Sequence, residues 1–221
     1  MELSIDTASE MASVALSREG RLVAEITWRC RRNHSVELLP TIERLLTQAK
    51  AEKGDLDAVF VCTGPGGYTG LRVGMSVAKG LAYAPGLPMV GVGRLEADAY
   101  PHAAYPGAII AVHKAGRGEL AWAMYRGDPW RELSPPRLSK PEELLGHLQA
   151  HTLLVGETDP DLHRLMLETA GRTAFAGEAA SVRRAGTLAA LGYERLSRGE
   201  TDEAALLKPV YLRPPAIGPQ H

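Results

Sequence analysis

The sequence predicts an α/β fold built on a mixed sheet, and three observations carry that prediction. Apolar residues at the start of the chain alternate in short strand-like runs and then switch to helical spacing. A glycine-rich string, Thr63–Gly80, joins an apolar run to a second stretch with helical spacing, and six of its eighteen residues are glycine. The 221-residue chain is 45% apolar, enough for one large domain or two small ones with a real core.

Taken in order, Leu3–Ile5 reads as a short strand ending at Asp6. Met11–Ser17 and Arg21–Trp28 alternate in character across the turn Arg18-Glu19-Gly20-Arg21, which predicts a hairpin. Leu38, Leu39, Ile42, Leu45, Leu46 and Ala49 then fall on one face of a helix, with Asn33 or Ser35 as its cap. Pro40 lies near its first turn or kinks it. Asp57–Cys62 is the fourth strand, Leu71–Tyr83 the second helix, Pro88–Val92 the fifth strand and Arg94–Tyr100 a third helix. Strand-strand-strand-helix-strand-helix-strand is the succession of a ribonuclease H-like sheet.

PHAAYPG at 101–107 breaks the pattern and marks a boundary. Beyond it, Ala108–Val112, Glu119–Tyr125 and Arg131–Leu138 read as strands. A helix start follows at Pro141, then a strand over Thr152–Val155 and helices over Asp159–Glu168 and Thr187–Ser197. This is a weaker second copy of the first succession. The expected organisation is a lobe over 1–100, a second over 101–213 and a flexible tail over 214–221; the terminal stretch KPVYLRPPAIGPQH docks in extended form through Val210–Leu212 and then frays.

Composition excludes several function classes. The net charge of −1 gives no overall basic footprint for nucleic acid; Arg29, Arg31 and Arg32, and Arg183 with Arg184, read as solvated surface or a local RNA contact. The N-terminus MELSIDTAS has no signal-peptide character, and no apolar run reaches the roughly 18 residues a membrane span needs. Cys30 and Cys62 are far apart and read as reduced, buried thiols of a cytosolic protein. None of the seven histidines falls in a metal motif, although His147 and His151 are four apart. Gly74–Ala78 resembles a GxSxG string, but Ser76 lies within a predicted helix, not at the end of a strand, so no serine nucleophile is expected. No nucleophile–base pair supports a peptidase.

Two features remain. Asp6-Thr7 ends the first strand, where a carboxylate facing a glycine loop holds a metal-bound water beside a phosphate, or else accepts amide bonds within its own turn. The loop Gly64–Gly70 has no P-loop lysine and does not match GxGxxG. It is either a phosphate cradle or a tight turn needing left-handed backbone and close helix packing. Gly74 and Gly80 inside the second helix each cost about 1 kcal/mol relative to alanine, which implies close approach of another backbone, within the chain or across an interface.

The resemblance to a family is carried by strings in fixed order. These are IDTAS with SVAL at 5–16, His34-Ser35 with Leu38-Leu39-Pro40, and GPGGYTGLRVG at 64–74. Ala78-Lys79-Gly80-Leu81, Pro88–Val92 and Pro209-Val210-Tyr211-Leu212-Arg213 come after them. Together they resemble the bacterial TsaB (YeaZ) family, densely over 3–100, thinly over 101–205 and again at the end of the chain. The resemblance implies an actin/Hsp70-like ATPase (ASKHA) fold of two ribonuclease H-like lobes. It implies an accessory, non-catalytic subunit that pairs with a catalytic paralogue, TsaD, and with the ATPase TsaE in the cytoplasm. The complex transfers a threonylcarbamoyl unit to N6 of adenosine 37 in tRNAs reading ANN codons, so tRNA is met only through the complex. Homodimerisation through the same patch is implied when the partner is missing.

The catalytic paralogue carries an HxxxH metal pair after its fifth strand; here Arg94 and Asp98 stand at those positions, so no metal is expected. No cofactor is expected on this chain alone, with ATP or ADP placed at the complex interface. Asp6, Thr7, Gly64, Gly66 and Gly67 are then a vestigial phosphate site. The expected partner interface is His34, Val36, Leu39, Tyr68, Arg72, Gly74, Met75, Ala78 and Lys79, with Gly74 and Ala78 permitting close approach and Met75 and Val77 supplying apolar contact. The string at 111–119 departs from the family's Asp-Ala-Arg pattern and is one residue longer. An independent ATP-dependent enzyme, such as a small-molecule kinase, is the alternative, favoured by Asp6-Thr7 and the glycine loop and opposed by the lack of a second phosphate loop.

Overall fold

The structure is a computed structural model that describes residues 1–31, 33–148, 151–157, 160–170, 173–177 and 182–213. The chain opens with strands β1 (Glu2–Asp6), β2 (Met11–Arg18) and β3 (Arg21–Arg29), then helix α1 (His34–Gln48), β4 (Ala58–Gly64), α2 (Tyr68–Tyr83) and β5 (Met89–Gly93). The sheet order is β3-β2-β1-β4-β5, with β1 antiparallel to β2 and parallel to β4. The predicted hairpin forms because Glu19 and Gly20 both adopt left-handed backbone, the requirement of a two-residue turn between twisted strands.

Alternation along the strands gives this sheet two apolar faces. Leu3, Ile5, Val59 and Val61 pack with Leu38, Ile42, Leu45 and Leu46 of α1 and with Met75, Ala78 and Ala82 of α2. Each of the Leu, Ile, Val and Met side chains among them contributes roughly 1.5–3 kcal/mol when fully buried. Phe60 points the other way, and helix α6 (Ala185–Ser197) covers that face so closely that a Cβ on Gly192 would lie 2.4 Å from the Phe60 ring.

The second unit repeats the succession. Strands β6 (Ala108–Gly116), β7 (Glu119–Arg126) and β8 (Arg131–Ser139) precede α4 (Pro141–Leu145), β9 (Thr152–Gly156), α5 (Pro160–Ala170) and β10 (Thr173–Phe175). Their order, β10-β9-β6-β7-β8, mirrors that of the first sheet. One face packs Ile110, Trp122, Met124 and Leu154 against Leu144, Leu162 and Met166. The other packs Ile109, Ala123 and Tyr125 against Leu95 and Ala99 of helix α3 (Arg94–Ala99).

This corrects the expected division at residue 100. The compact units are Met1–Arg94 with Arg183–Val210, and Leu95–Val182 with Tyr211–His221. Each sheet needs a cover on its second face. The first takes α6 from late in the chain and the second takes α3 from before the expected boundary. A linear division puts both helices in the wrong unit because an apolar helix face does not say which sheet it will cover.

Other differences are local. Helix α2 starts at Tyr68, three residues before the expected Leu71, with Gly67 at its cap. Asn33 occupies the cap of α1, but neither it nor Ser35 supplies a side-chain cap bond; the Asn33 carbonyl accepts from Val36 and Glu37 instead. A β-bulge falls between Lys114 and Gly116, within the 111–119 string. The rings of His147 and His163 pack on Trp122 and Phe175. Strand β10, which the spacing does not predict, is only three residues long. Val210 N–H bonds the Thr63 carbonyl at 2.8 Å, so the end of the chain does dock there; the expected tail over 214–221 lies outside the described residues. No helix among the described residues is long and apolar enough to cross a membrane.

Candidate functional site

The site is built where β1 ends and the two helices of the first unit begin. The glycine loop leaves β4 through Gly64, whose φ of +101° explains that glycine. The next glycines answer to crowding. A Cβ on Gly66 would lie 2.3 Å from the Ala8 carbonyl oxygen, one on Gly70 would lie 2.2 Å from that of Thr7, and one on Gly74 would lie 2.1 Å from Thr7 Oγ1. Thr7 Oγ1 donates to the Gly70 carbonyl at 2.8 Å, and Gly67 N–H donates to the Ala8 carbonyl at 2.8 Å. The backbone that approaches Gly66 and Gly70 is the chain's own turn after β1. Gly74 is crowded within the chain by the Thr7 side chain, not by the other backbone its sequence position implied; Gly80 has nothing within 4 Å and lies exposed.

Asp6 faces inward from the same turn and is 1% exposed. Its Oδ1 accepts from Ala8 N–H at 2.9 Å and from Arg183 Nη2 at 3.3 Å, while its Oδ2 is bonded to Arg183 Nε. Arg183 Nη2 also donates to Ser9 Oγ at 3.0 Å. Of the two readings of Asp6, the one in which it accepts amide bonds in its own turn is realised, with an arginine added. Arg183 is 8% exposed, so it is not the solvated basic residue the sequence suggested. Arg184 beside it is exposed and pairs with Glu25 at 2.8 Å. Of the earlier arginine run, Arg29 is exposed and pairs with Glu10 at 3.2 Å, as a solvated residue should, while Arg32 lies outside the described residues. No spacing rule could have found the Asp6–Arg183 pair, whose members are 177 residues apart. Burial, reinforced by the Asp6 charge, pushes the Cys62 thiol far up from its ordinary value.

The expected interface residues separate into two sets. Val36 is 71%, Leu39 48% and Tyr68 36% exposed, and Arg72 lies in solvent with its guanidinium 4.0 Å from the Tyr68 ring centre. Such a cation–π contact holds an exposed aromatic ring in one place. Gly74, Met75 and Ala78 belong to the other set: Gly74 faces Thr7, and Met75 and Ala78 lie in the core between α2 and the sheet. Their helical phase points them inward, which corrects their assignment to a partner surface. His34 is buried at the start of α1 and donates from Nε2 to the Ser9 carbonyl at 3.0 Å. Lys79 is half-buried and reaches the Ala205 carbonyl at 3.4 Å. A cleft of about 280 Å³, lined by Thr7, Ser9, Glu10, His34, Gly67 and Tyr68, opens at the feet of the two helices.

Arg94 and Asp98 are both buried, one helical turn apart on α3. Among the described residues, no group of three or more His, Cys, Asp or Glu side chains is arranged to hold a metal.

Comparison with known proteins places this geometry. Residues 23–205 match the family model described as "TsaD: tRNA N6-adenosine threonylcarbamoyltransferase". The chain is 33% identical to the tRNA threonylcarbamoyladenosine biosynthesis protein TsaB of Bacillus subtilis, over 96% of this chain and 93% of that one. YeaZ from Pseudomonas aeruginosa superposes with a TM-score of 0.79 at 27% identity, covering 96% of this chain and 99% of that one. A ROK hexokinase from Thermus thermophilus shares the fold alone, with a TM-score of 0.51 at 11% identity, covering 90% of this chain and 99% of that one. The chain therefore has the expected α/β fold of the actin/Hsp70-like class, with two ribonuclease H-like lobes.

Proposed function

Because the chain belongs to the TsaB family, we propose that it is the non-catalytic partner subunit in threonylcarbamoyl transfer to N6 of adenosine 37 in tRNAs reading ANN codons. It pairs with a TsaD-type catalytic paralogue, and a TsaE-type ATPase joins the pair. It works in the cytoplasm and meets tRNA only through the complex. The observation that carries this reading is the exposed face of α1 and α2, where Val36, Leu39, Tyr68 and Arg72 stand in solvent without a role in the lobe's own core. Tyrosine and arginine are enriched in binding hot spots, and exposed apolar side chains beside them mark an interaction surface. The same face serves for homodimerisation when the paralogue is missing.

The chain alone binds no cofactor in this reading, and ATP or ADP belongs to the interface of the complex. The crowding around Gly66 and Gly70 supports it: a phosphate cradle needs open amides, and here the turn after β1 fills that room. An independent ATP-dependent enzyme has no observation in its favour. The test is nucleoside mass spectrometry of tRNA from a strain lacking its own TsaB. The wild-type chain restores the modified adenosine and the Val36→Arg/Leu39→Arg variant does not. Failure of the wild-type chain to restore it, or low-micromolar Mg·ATP binding with turnover by the isolated chain, would contradict the reading.

A further inference from the structure

The strongest polar cluster that the subunit reading leaves unused lies at the end of β1. Arg183 engages both oxygens of Asp6 out of solvent and also the hydroxyl of the half-buried Ser9. A divalent cation at the end of β1 would draw on the same set of oxygens, because hard cations require carboxylate and hydroxyl ligands. We propose that Arg183 is a built-in counter-ion: its guanidinium stands where a cation would otherwise neutralise Asp6, so the lobe assembles without metal or nucleotide.

Three features of the surroundings fit this role. The guanidinium is planar, always charged and matched to a carboxylate fork, so it satisfies Asp6 in a dry site more completely than an ammonium group would. Arg183 is the first residue of the segment that returns to this unit, and the residues after it are anchored at once. Ala185 N–H bonds Ser13 Oγ at 3.0 Å and Gly186 N–H bonds Glu25 at 2.8 Å, which sets the start of α6. The turn that Arg183 holds also leads to both helix starts: the Ser9 carbonyl takes His34 of α1, and the Ala8 carbonyl takes Gly67, the cap of α2. A bound cation would have to displace the arginine and leave a second buried positive charge beside it.

The experiment uses the full chain without any partner, so its outcome is separate from that of the subunit reading. Arg183→Ala leaves Asp6 buried and uncompensated, and its thermal midpoint falls by roughly 10 °C. Millimolar methylguanidinium restores part of that loss, whereas methylammonium at the same concentration does not. Free Mn²⁺, followed by electron paramagnetic resonance, is taken up by Arg183→Ala and not by the wild-type chain. If Arg183→Ala does not fold, a cycle through Asp6→Asn, Arg183→Gln and the double variant decides. The double variant lies closer to wild type than either single one, since removing both charges costs little where removing one costs much. Mn²⁺ uptake by the wild-type chain would overturn the proposal. So would a fall that methylguanidinium does not repair, an Arg183→Ala chain that takes up no Mn²⁺, or single variants whose effects simply add.

Discussion

The two sides of helix α2 differ in what lies beside them. On the inner side, Gly70 and Gly74 meet Thr7, and Met75 and Ala78 meet the sheet, with no space left. On the outer side, Tyr68 and Arg72 stand in solvent, as do Val36 and Leu39 of the neighbouring helix. The glycines that first suggest a ligand or partner site belong to the closed side. Glycine marks close approach but does not name the approaching group, and here that group is the chain's own turn.

Substitutions on the two sides should separate accordingly. Met75→Arg buries a charge in a core where the native side chain is 4% exposed, so it should cost about 4 kcal/mol or more and show as lost folding in a denaturant titration. Gly70→Ala drives a methyl group into the Thr7 carbonyl and should cost about 3 kcal/mol by the same measurement. Gly80→Ala, on the same helix with open space around it, should have the opposite sign and stabilise by about 0.5–1 kcal/mol. If Gly70→Ala and Gly80→Ala behaved alike, the contrast between closed and open sides would fail.

The smallest effect concerns Glu37, in the first turn of α1. Its carboxylate accepts the Trp28 indole N–H at 2.8 Å, and that bond holds its pKa below the ordinary carboxylate value. A depressed folded-state pKa contributes stability above the unfolded value, lost as pH falls through the folded one. The difference in thermal midpoint between wild type and Glu37→Gln should therefore be present at neutral pH and vanish in acid. A difference that persisted in acid would remove the charge from the explanation.

Much of this is legible in the sequence, for physical reasons that also mark where legibility stops. The hairpin, α1 and β4 are local, set by alternation, helical spacing and the Glu19-Gly20 turn, and they stand within a few residues of where the spacing puts them. The placement of α3 and α6 is not local, since their apolar faces fit either sheet. At the site, Val36, Leu39, Tyr68 and Arg72 are exposed as a partner surface requires. The small residues Gly74 and Ala78, with Met75 between them, suggest helix–helix contact, yet all three fall on the sheet-facing phase of α2. Arg183 is out of reach: one arginine of an adjacent pair is buried and the other exposed, and the difference depends on a strand at the far end of the chain.

The central claim is that this chain acts through the outer face of α1 and α2 on a catalytic paralogue. Its most direct test is the mass, by sedimentation, of the species formed when the chain is mixed with a TsaD-type subunit. The account predicts a one-to-one heterodimer for the wild-type chain. It predicts separate subunits for Val36→Arg/Leu39→Arg, whose thermal midpoint stays within about 2 °C of wild type because both positions are exposed. An undiminished heterodimer with that variant, or no heterodimer with the wild-type chain, would contradict it.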